Sequence, residues 1–90
     1  VLTNAHVVKD AARVFVRLPG KGGSWADIHA CDPRSDLAVL KLLDPPEGLV
    51  PLPMGDGGAV RKGQFVLSLS AGFAPRFDDE AAASYGIVSA

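Results

Sequence analysis

The sequence has no apolar run of the length that a membrane-spanning helix needs, and its longest candidate, residues 37–43, is interrupted by Lys41. A helix requires about 20 consecutive apolar residues to cross a bilayer, so we expect no transmembrane segment in this chain. An excess of basic residues is missing too, because nine Lys and Arg stand against ten Asp and Glu. With no basic stripe to neutralise phosphates, the composition argues against a nucleic-acid partner.

Cysteine, histidine and aromatic residues are all scarce. The single Cys31 cannot form an internal disulfide, and it shares no ligand spacing with the two histidines, His6 and His29, so we expect no metal site. His29 has no motif around it, which favours an exposed structural role. Aromatic residues make up only 7% of the chain, which predicts a small core.

Glycine and proline, in contrast, are frequent, with ten and seven positions, and they divide the chain into short segments. The segments between them are short and apolar, and one of them, residues 14–16, combines β-branched and aromatic residues, which is typical of strands rather than of long helices. We therefore expect an all-β fold. The predicted strands cover residues 14–16, 25–30, 37–42 and 65–69, with a hairpin loop at 18–24 and a turn at 32–36.

The same patterns make local predictions that the structure can test. Residues 37–42 are apolar on both faces, which predicts a strand covered on both sides, and residues 51–63, with four glycines and two prolines, predict an extended linker. For residues 78–83 the sequence is compatible with two structures, a helical turn with acids at its start or a loop. Strand alternation places Ala26, Ile28 and Ala30 on one face and Asp27, His29 and Cys31 on the other.

Two titratable residues beside apolar runs form the candidate site. His6 lies within LTNAHVV, and Asp36 directly precedes LAVL. Acyl transfer by a serine hydroxyl needs an imidazole to take the proton and a carboxylate behind it to fix the tautomer and stabilise the imidazolium. His6 and Asp36 are of the right types for such a pair, although their spacing in the sequence does not by itself indicate contact.

Longer matches surround both residues. Residues 1–8, VLTNAHVV, resemble the histidine motif of the trypsin-like proteases of the HtrA (DegP) family, and residues 32–42, DPRSDLAVLKL, resemble its aspartate motif in the same order. PLPMGD at 51–56 with RKGQ at 61–64 resembles the crossover into the family's second barrel, and GIVSA at 86–90 resembles the strand that follows. The resemblance covers essentially the whole chain.

The resemblance implies a trypsin-like double β-barrel fold, incomplete in this chain. Residues 1–50 would be a portion of the first barrel with both motifs, residues 51–63 the crossover, and residues 64–90 the start of the second barrel. Both ends of the chain read as interrupted strands, so we expect an interior piece of a longer protein.

The resemblance also implies roles for particular residues. His6 would be the general base and then the general acid, and Asp36 its orienting carboxylate. Asp32 is the competing acid, but the family's aspartate directly precedes LAVL, so Asp32 is expected to cap the turn. A thiol nucleophile at Cys31, served by His6, is a further alternative, and no reactive-cysteine motif surrounds it.

The nucleophile is not found among the serines at 24, 35, 68, 70, 84 and 89. None stands in a Gly-x-Ser-Gly-Gly setting, whose backbone N–H groups would form an oxyanion hole. Residues 55–58, GDGG, resemble that loop with Gly in place of Ser, but they precede the crossover, where we expect a structural role. The serine is expected beyond Ala90. Residues 68–85 depart from the family's pattern, so we infer no oligomer contacts for this stretch from the resemblance.

The function that the resemblance implies is a serine endopeptidase that hydrolyses unfolded or misfolded polypeptides bound in extended form, with no cofactor. The 90-residue chain alone is expected to be inactive. The longer protein would be a homo-oligomer with an appended PDZ domain, located in the periplasm or otherwise outside the cytoplasm. The alternative is a catalytically inactive trypsin-like domain that acts as a peptide-binding scaffold.

Overall fold

The computed structural model describes residues 1–18, 20, 22–70 and 81–90. Contacts divide the chain into two units, Val1–Val50 and Pro51–Ala90. The first unit is a four-stranded antiparallel sheet in the order β1-β4-β3-β2, and the second is a two-stranded sheet of β5 and β6. No α-helix occurs in the described residues, and the all-β prediction is confirmed. The strands are β1 (Leu2–Thr3), β2 (Val14–Leu18), β3 (Gly22–Asp32), β4 (Leu37–Leu42), β5 (Phe65–Ser70) and β6 (Ala82–Ile87).

The hairpin of β2 and β3 follows from the predicted alternation of apolar residues. Val14 lies opposite Ala26 and Leu18 opposite Gly22, so β3 begins earlier and the loop is shorter than expected. Along β2, Val14 and Val16 are half-buried while Phe15 is exposed, which is the pattern of a strand with one face on a core. The ring of Phe15 lies edge-on to that of Trp25, with centroids 5.4 Å apart.

The core of the first unit is small and lies on one face of the sheet. Its buried residues are Val8, Ala26, Ala38 and Leu40, and Val14, Val16, Ile28 and Leu42 pack against them. On β4 the neighbouring Leu37 and Val39 remain 43% and 40% exposed. The prediction that residues 37–42 are covered on both sides is therefore wrong for the described part of the chain, because alternation sends these two side chains to the opposite face.

A β-bulge at His29 changes the face of the residues that follow it on β3. Ile28 pairs with Leu40 and Ala30 with Val39, which leaves His29 as the extra residue between two successive pairs. After the bulge Cys31 lies opposite the buried Ala38. The strict period-two assignment is thus wrong for Ala30 and Cys31, because one inserted residue exchanges the two faces.

The second unit is a hairpin with little buried surface. β5 and β6 pair from Phe65 opposite Ile87 to Ser70 opposite Ala82, and every residue of β5 is exposed. The helical turn considered for residues 78–83 is wrong at its end, since Ala82 belongs to β6, while residues 78–80 lie outside the described residues.

Residues 51–63 contain no strand, as expected of a linker, and their one regular feature is a short 3₁₀ turn, Gly57–Ala59. The Asp56 carboxylate caps this turn by accepting from the Gly58 N–H at 2.9 Å, which is a structural role for the GDGG string. No helix among the described residues is both long and apolar enough to cross a membrane.

Candidate active site

His6 is presented by a one-turn 3₁₀ helix, Ala5–Val7, that directly follows β1. The turn is closed by hydrogen bonds from the Val7 N–H to the Asn4 carbonyl and from the Val8 N–H to the Ala5 carbonyl, both 3.2 Å. Ala5 and Val8 are buried, whereas the His6 side chain is 71% exposed. The buried neighbours thus anchor the turn and leave the imidazole accessible.

Asp36 occupies the last position of the turn between β3 and β4. Asp32 stabilises this turn, since its carboxylate accepts from the Arg34 N–H at 3.1 Å and from the Ser35 hydroxyl at 2.9 Å; the prediction that Asp32 caps the turn is confirmed. Asp36 has a φ of +57°, in the left-handed region that Asp and Asn tolerate better than most residues. This conformation reverses the chain immediately before β4 starts.

The sheet brings the two candidate residues together. Thr3 pairs with Ala38 across β1 and β4, which places the turns after Thr3 and before Leu37 side by side. The Nδ1 atom of His6 lies 2.6 Å from Oδ2 of Asp36, and the His6 N–H donates to Oδ1 of the same carboxylate at 2.8 Å. Both oxygens of Asp36 are therefore used by one residue.

The electrostatics of this pair favour an ionised carboxylate. The backbone N–H of His6, and next its side chain, hold the pKa of Asp36 below its ordinary value. An ionised carboxylate can only accept hydrogen bonds, which assigns the proton to Nδ1 of His6. In the neutral imidazole Nε2 then carries the lone pair and can accept a proton, which is the state that a general base requires.

Asn4 is a member of this site that the sequence did not single out. Its side-chain Nδ2 donates to the backbone carbonyl of Asp36 at 3.1 Å, and the Ala5 N–H donates to the same carbonyl at 3.1 Å. The available signal was the residue type alone, because Asn is common at helix-capping positions. Its partner lies 32 residues away, and only the pairing of β1 with β4 reveals it.

The other candidate residues take no part in the pair. His29 is exposed in the β-bulge, and Cys31 is exposed although single cysteines are commonly buried. Cys31 lines a pocket of about 400 Å³ beside His6 and Asp36, together with the apolar side chains of Val8, Ala11, Ile28 and Pro33. Among the hydrogen bonds of the described residues, none joins Cys31 to His6, so the structure gives no support to the thiol alternative.

The described serines do not complete the pair either. In the part of the chain that the structure describes, the Ser24 hydroxyl donates to the Trp25 carbonyl and the Ser35 hydroxyl to Asp32, and no serine hydroxyl is hydrogen-bonded to His6. Within the same described ranges, no group of three His, Cys, Asp or Glu residues is placed to hold a metal ion.

An antiparallel β scaffold that joins an imidazole to a carboxylate through Nδ1 is the arrangement of a trypsin-like peptidase. The family model of the trypsin-like peptidase domain matches residues 1–90, and the chain belongs to this family. The expected resemblance to HtrA and DegP proteases and the partial trypsin-like barrel are thereby confirmed.

Relatives with names of this kind match over most or all of the chain. The mitochondrial serine protease HTRA2 of Bos taurus is 43% identical over 74 residues, which are 82% of this chain and 16% of that protein. Probable periplasmic serine endoproteases described as DegP-like, from Ectopseudomonas mendocina and a Marinomonas species, are each 40% identical over all 90 residues and 18% of their own length. The chain thus spans less than a fifth of the relatives it matches.

Proposed function

We propose that this chain supplies the general base, His6, and the orienting carboxylate, Asp36, of a serine endopeptidase whose nucleophile lies outside residues 1–90. One observation carries the proposal: inside a trypsin-like peptidase domain, His6 and Asp36 are joined by a 2.6 Å contact between Nδ1 and Oδ2. Aspartate in this position fixes the ring tautomer and stabilises the imidazolium that forms during acyl transfer.

The reaction follows from that assignment. Nε2 of His6 takes the hydroxyl proton of the serine as its oxygen attacks the peptide carbonyl, and Asp36 stabilises the resulting imidazolium. The proton then passes from Nε2 to the departing amine as the C–N bond breaks, which leaves an acyl-enzyme. Water attacks this ester by the same proton transfers, so His6 acts alternately as base and acid.

The substrate class that we propose is an unfolded or misfolded polypeptide bound in extended form. The relatives are named serine proteases, and the pocket beside His6 has an apolar lining that suits a substrate side chain. Extended binding uses backbone hydrogen bonds for affinity and side-chain pockets for selectivity. An unfolded polypeptide exposes both its backbone groups and its side chains to such a site.

We assign residues 1–50 to the first barrel, residues 51–63 to the crossover and residues 64–90 to the start of the second barrel. This division is supported by the separation of contacts after Val50 and by the absence of strands from residues 51–63, all of which are described. An extracytoplasmic location, a homo-oligomeric assembly and an appended PDZ domain are proposals that rest on the family resemblance.

The test is proteolysis by the complete protein. Reduced, alkylated casein and a folded, disulfide-bonded protein such as ribonuclease A would be offered at equal concentration. We expect cleavage of the casein alone, loss of that cleavage in His6→Ala, and retention within about twofold in His29→Ala, which removes the other imidazole. A complete protein that binds casein without cleaving it would contradict the proposal and would support a peptide-binding scaffold instead.

A further inference from the structure

Asn4 uses its side chain in an unusual way for its position. It is the N-cap of the turn Ala5–Val7, with extended backbone angles, φ −85° and ψ 144°. A residue at this position ordinarily accepts a hydrogen bond from the second or third N–H of its own helix. Asn4 makes no such bond, and its amide donates to the Asp36 carbonyl instead.

Asp36 takes over the capping role that Asn4 leaves unfilled. The second N–H of the turn belongs to His6, and it donates to Oδ1 of Asp36 at 2.8 Å. The two turns therefore exchange partners, because Asp36 caps the turn that carries His6 while Asn4 binds the main chain of the turn that carries Asp36. Each contact spans 30 residues or more.

The backbone of Asp36 has a disfavoured conformation, and the contact from Asn4 is made to this backbone. A φ of +57° is disfavoured for a residue with a side chain, because the Cβ atom approaches the following carbonyl. The two donors at the Asp36 carbonyl, from Asn4 and Ala5, hold the peptide group that joins Asp36 to Leu37. Because this peptide group is part of the backbone from which Cβ projects, the same two donors contribute to the placement of the carboxylate.

We propose that Asn4 is a positioning residue that holds the Asp36 main chain so that its carboxylate meets His6. This inference rests on the proposed function and deepens it. Without the Asn4 amide, the Ala5 N–H is the one donor to the Asp36 carbonyl that remains in the described part of the chain. The Nδ1–Oδ2 contact then becomes longer on average, and the imidazolium is less well stabilised.

Three substitutions in the complete protein separate positioning from simple capping. Asn4→Asp keeps the shape and is a strong N-cap, but replaces the donor by an acceptor; Asn4→Ser is also a strong N-cap and lacks the amide; Asn4→Ala lacks both properties. A positioning role predicts that all three lower kcat about tenfold to a hundredfold at unchanged KM. The loss of kcat in Asn4→Asp should be at least as large as the loss in Asn4→Ala.

A capping role predicts a different result. Asn4→Asp and Asn4→Ser would keep the activity, and Asn4→Ala would lose stability without a loss of kcat. That result would overturn the inference. The matched control is Ser35→Ala, which removes the 2.9 Å hydrogen bond to Asp32 in the same turn without removing a contact to Asp36. Equal losses in Ser35→Ala and Asn4→Asp would mean that loosening of the turn explains both, and would also overturn it.

A spectroscopic measurement keeps the inference testable if the protein does not cleave peptides. A proton in a short N–H···O⁻ hydrogen bond resonates far downfield, so the Nδ1 proton of His6 reports on its contact with Asp36. We expect this signal to move upfield or disappear in Asn4→Asp and to stay unchanged in Ser35→Ala. An unchanged signal in Asn4→Asp would overturn the inference, whereas absence of cleavage with a displaced signal would contradict only the proposed function.

Discussion

The His6 residue meets Asp36 at two points: its ring Nδ1 lies 2.6 Å from Oδ2, and its backbone N–H donates to Oδ1 at 2.8 Å. The second contact is the larger cause of the lowered pKa of Asp36. A single carboxylate thus fixes both the main chain and the ring of one histidine. It orients the imidazole and also stabilises the turn that presents it.

The exchange Asp36→Asn in the complete protein should lower turnover by about 10⁴, as loss of the orienting carboxylate does in a Ser-His-Asp triad. The amide removes the negative charge behind the imidazolium and also permits the wrong tautomer. Steady-state kinetics on a peptide substrate measures this loss. The matched control is Asp32→Asn in the same turn, for which we expect turnover within about threefold of the original. Equal losses in the two variants would remove Asp36 from its assigned role.

The stability of the domain should fall as the medium becomes acid, and Asp36 should account for part of that fall. Its pKa is lowered in the folded state, so its contribution is fully present above the unfolded-state value of about 3.9 and is lost as the pH falls through the lower folded value. Between pH 2 and 6, the denaturant concentration at the unfolding midpoint should therefore vary less with pH in Asp36→Asn than in the original protein. The same pH dependence in Asp36→Asn as in the original protein would contradict the assignment.

The hairpin of β2 and β3 should be sensitive to a single methyl group at Gly23. A Cβ atom there would lie 2.6 Å from the Val16 carbonyl oxygen and 2.7 Å from the ring of Phe15. Because one of these neighbours is backbone, Gly23→Ala should lower the free energy of unfolding by about 1–3 kcal/mol. Gly55→Ala, whose added methyl would meet nothing within 4 Å, is the control, and its effect should stay within about 0.5 kcal/mol. Equal unfolding midpoints for the two variants would contradict this packing.

Amide hydrogen exchange in the 90-residue chain should distinguish its two units. β3 pairs on both sides and contributes Ala26 to the core, so the amides at its centre open only when the sheet opens. Among the described residues β5 pairs only with β6 and has no buried residue, and a two-stranded hairpin by itself is marginally stable in water. We therefore expect the Ala26 amide to exchange far more slowly than that of Leu67. Comparable protection at the two sites would contradict the difference.

The sequence predicted the strands well where apolar side chains and turn residues are local signals. The boundaries of β4 agree with the prediction at both ends, because turn residues flank the apolar run, with Asp36 before it and Asp44 and Pro45 after it. It could not predict the bulge at His29, since an inserted residue is defined by the register with a partner strand. For the same reason it could not show that Cys31 faces the pocket beside His6.

The candidate pair was predicted through motifs, and its geometry was not. Nothing local distinguishes an Asp in the left-handed region from one in an ordinary turn, so neither the φ of Asp36 nor the second contact to the His6 N–H was foreseen. The contact of Asn4 was missed for a related reason. Its side chain binds a carbonyl that only the pairing of β1 with β4 brings near.

The catalytic role of the His6–Asp36 pair is tested by the reaction of the complete protein with a serine-directed phosphonate, followed by mass spectrometry of the labelled peptide. We expect one labelled serine outside residues 1–90, with a labelling rate that falls sharply in both His6→Ala and Asp36→Asn and is unchanged in His29→Ala. A complete protein with His6 and Asp36 intact that remains unlabelled, or one labelled equally fast without His6, would contradict it.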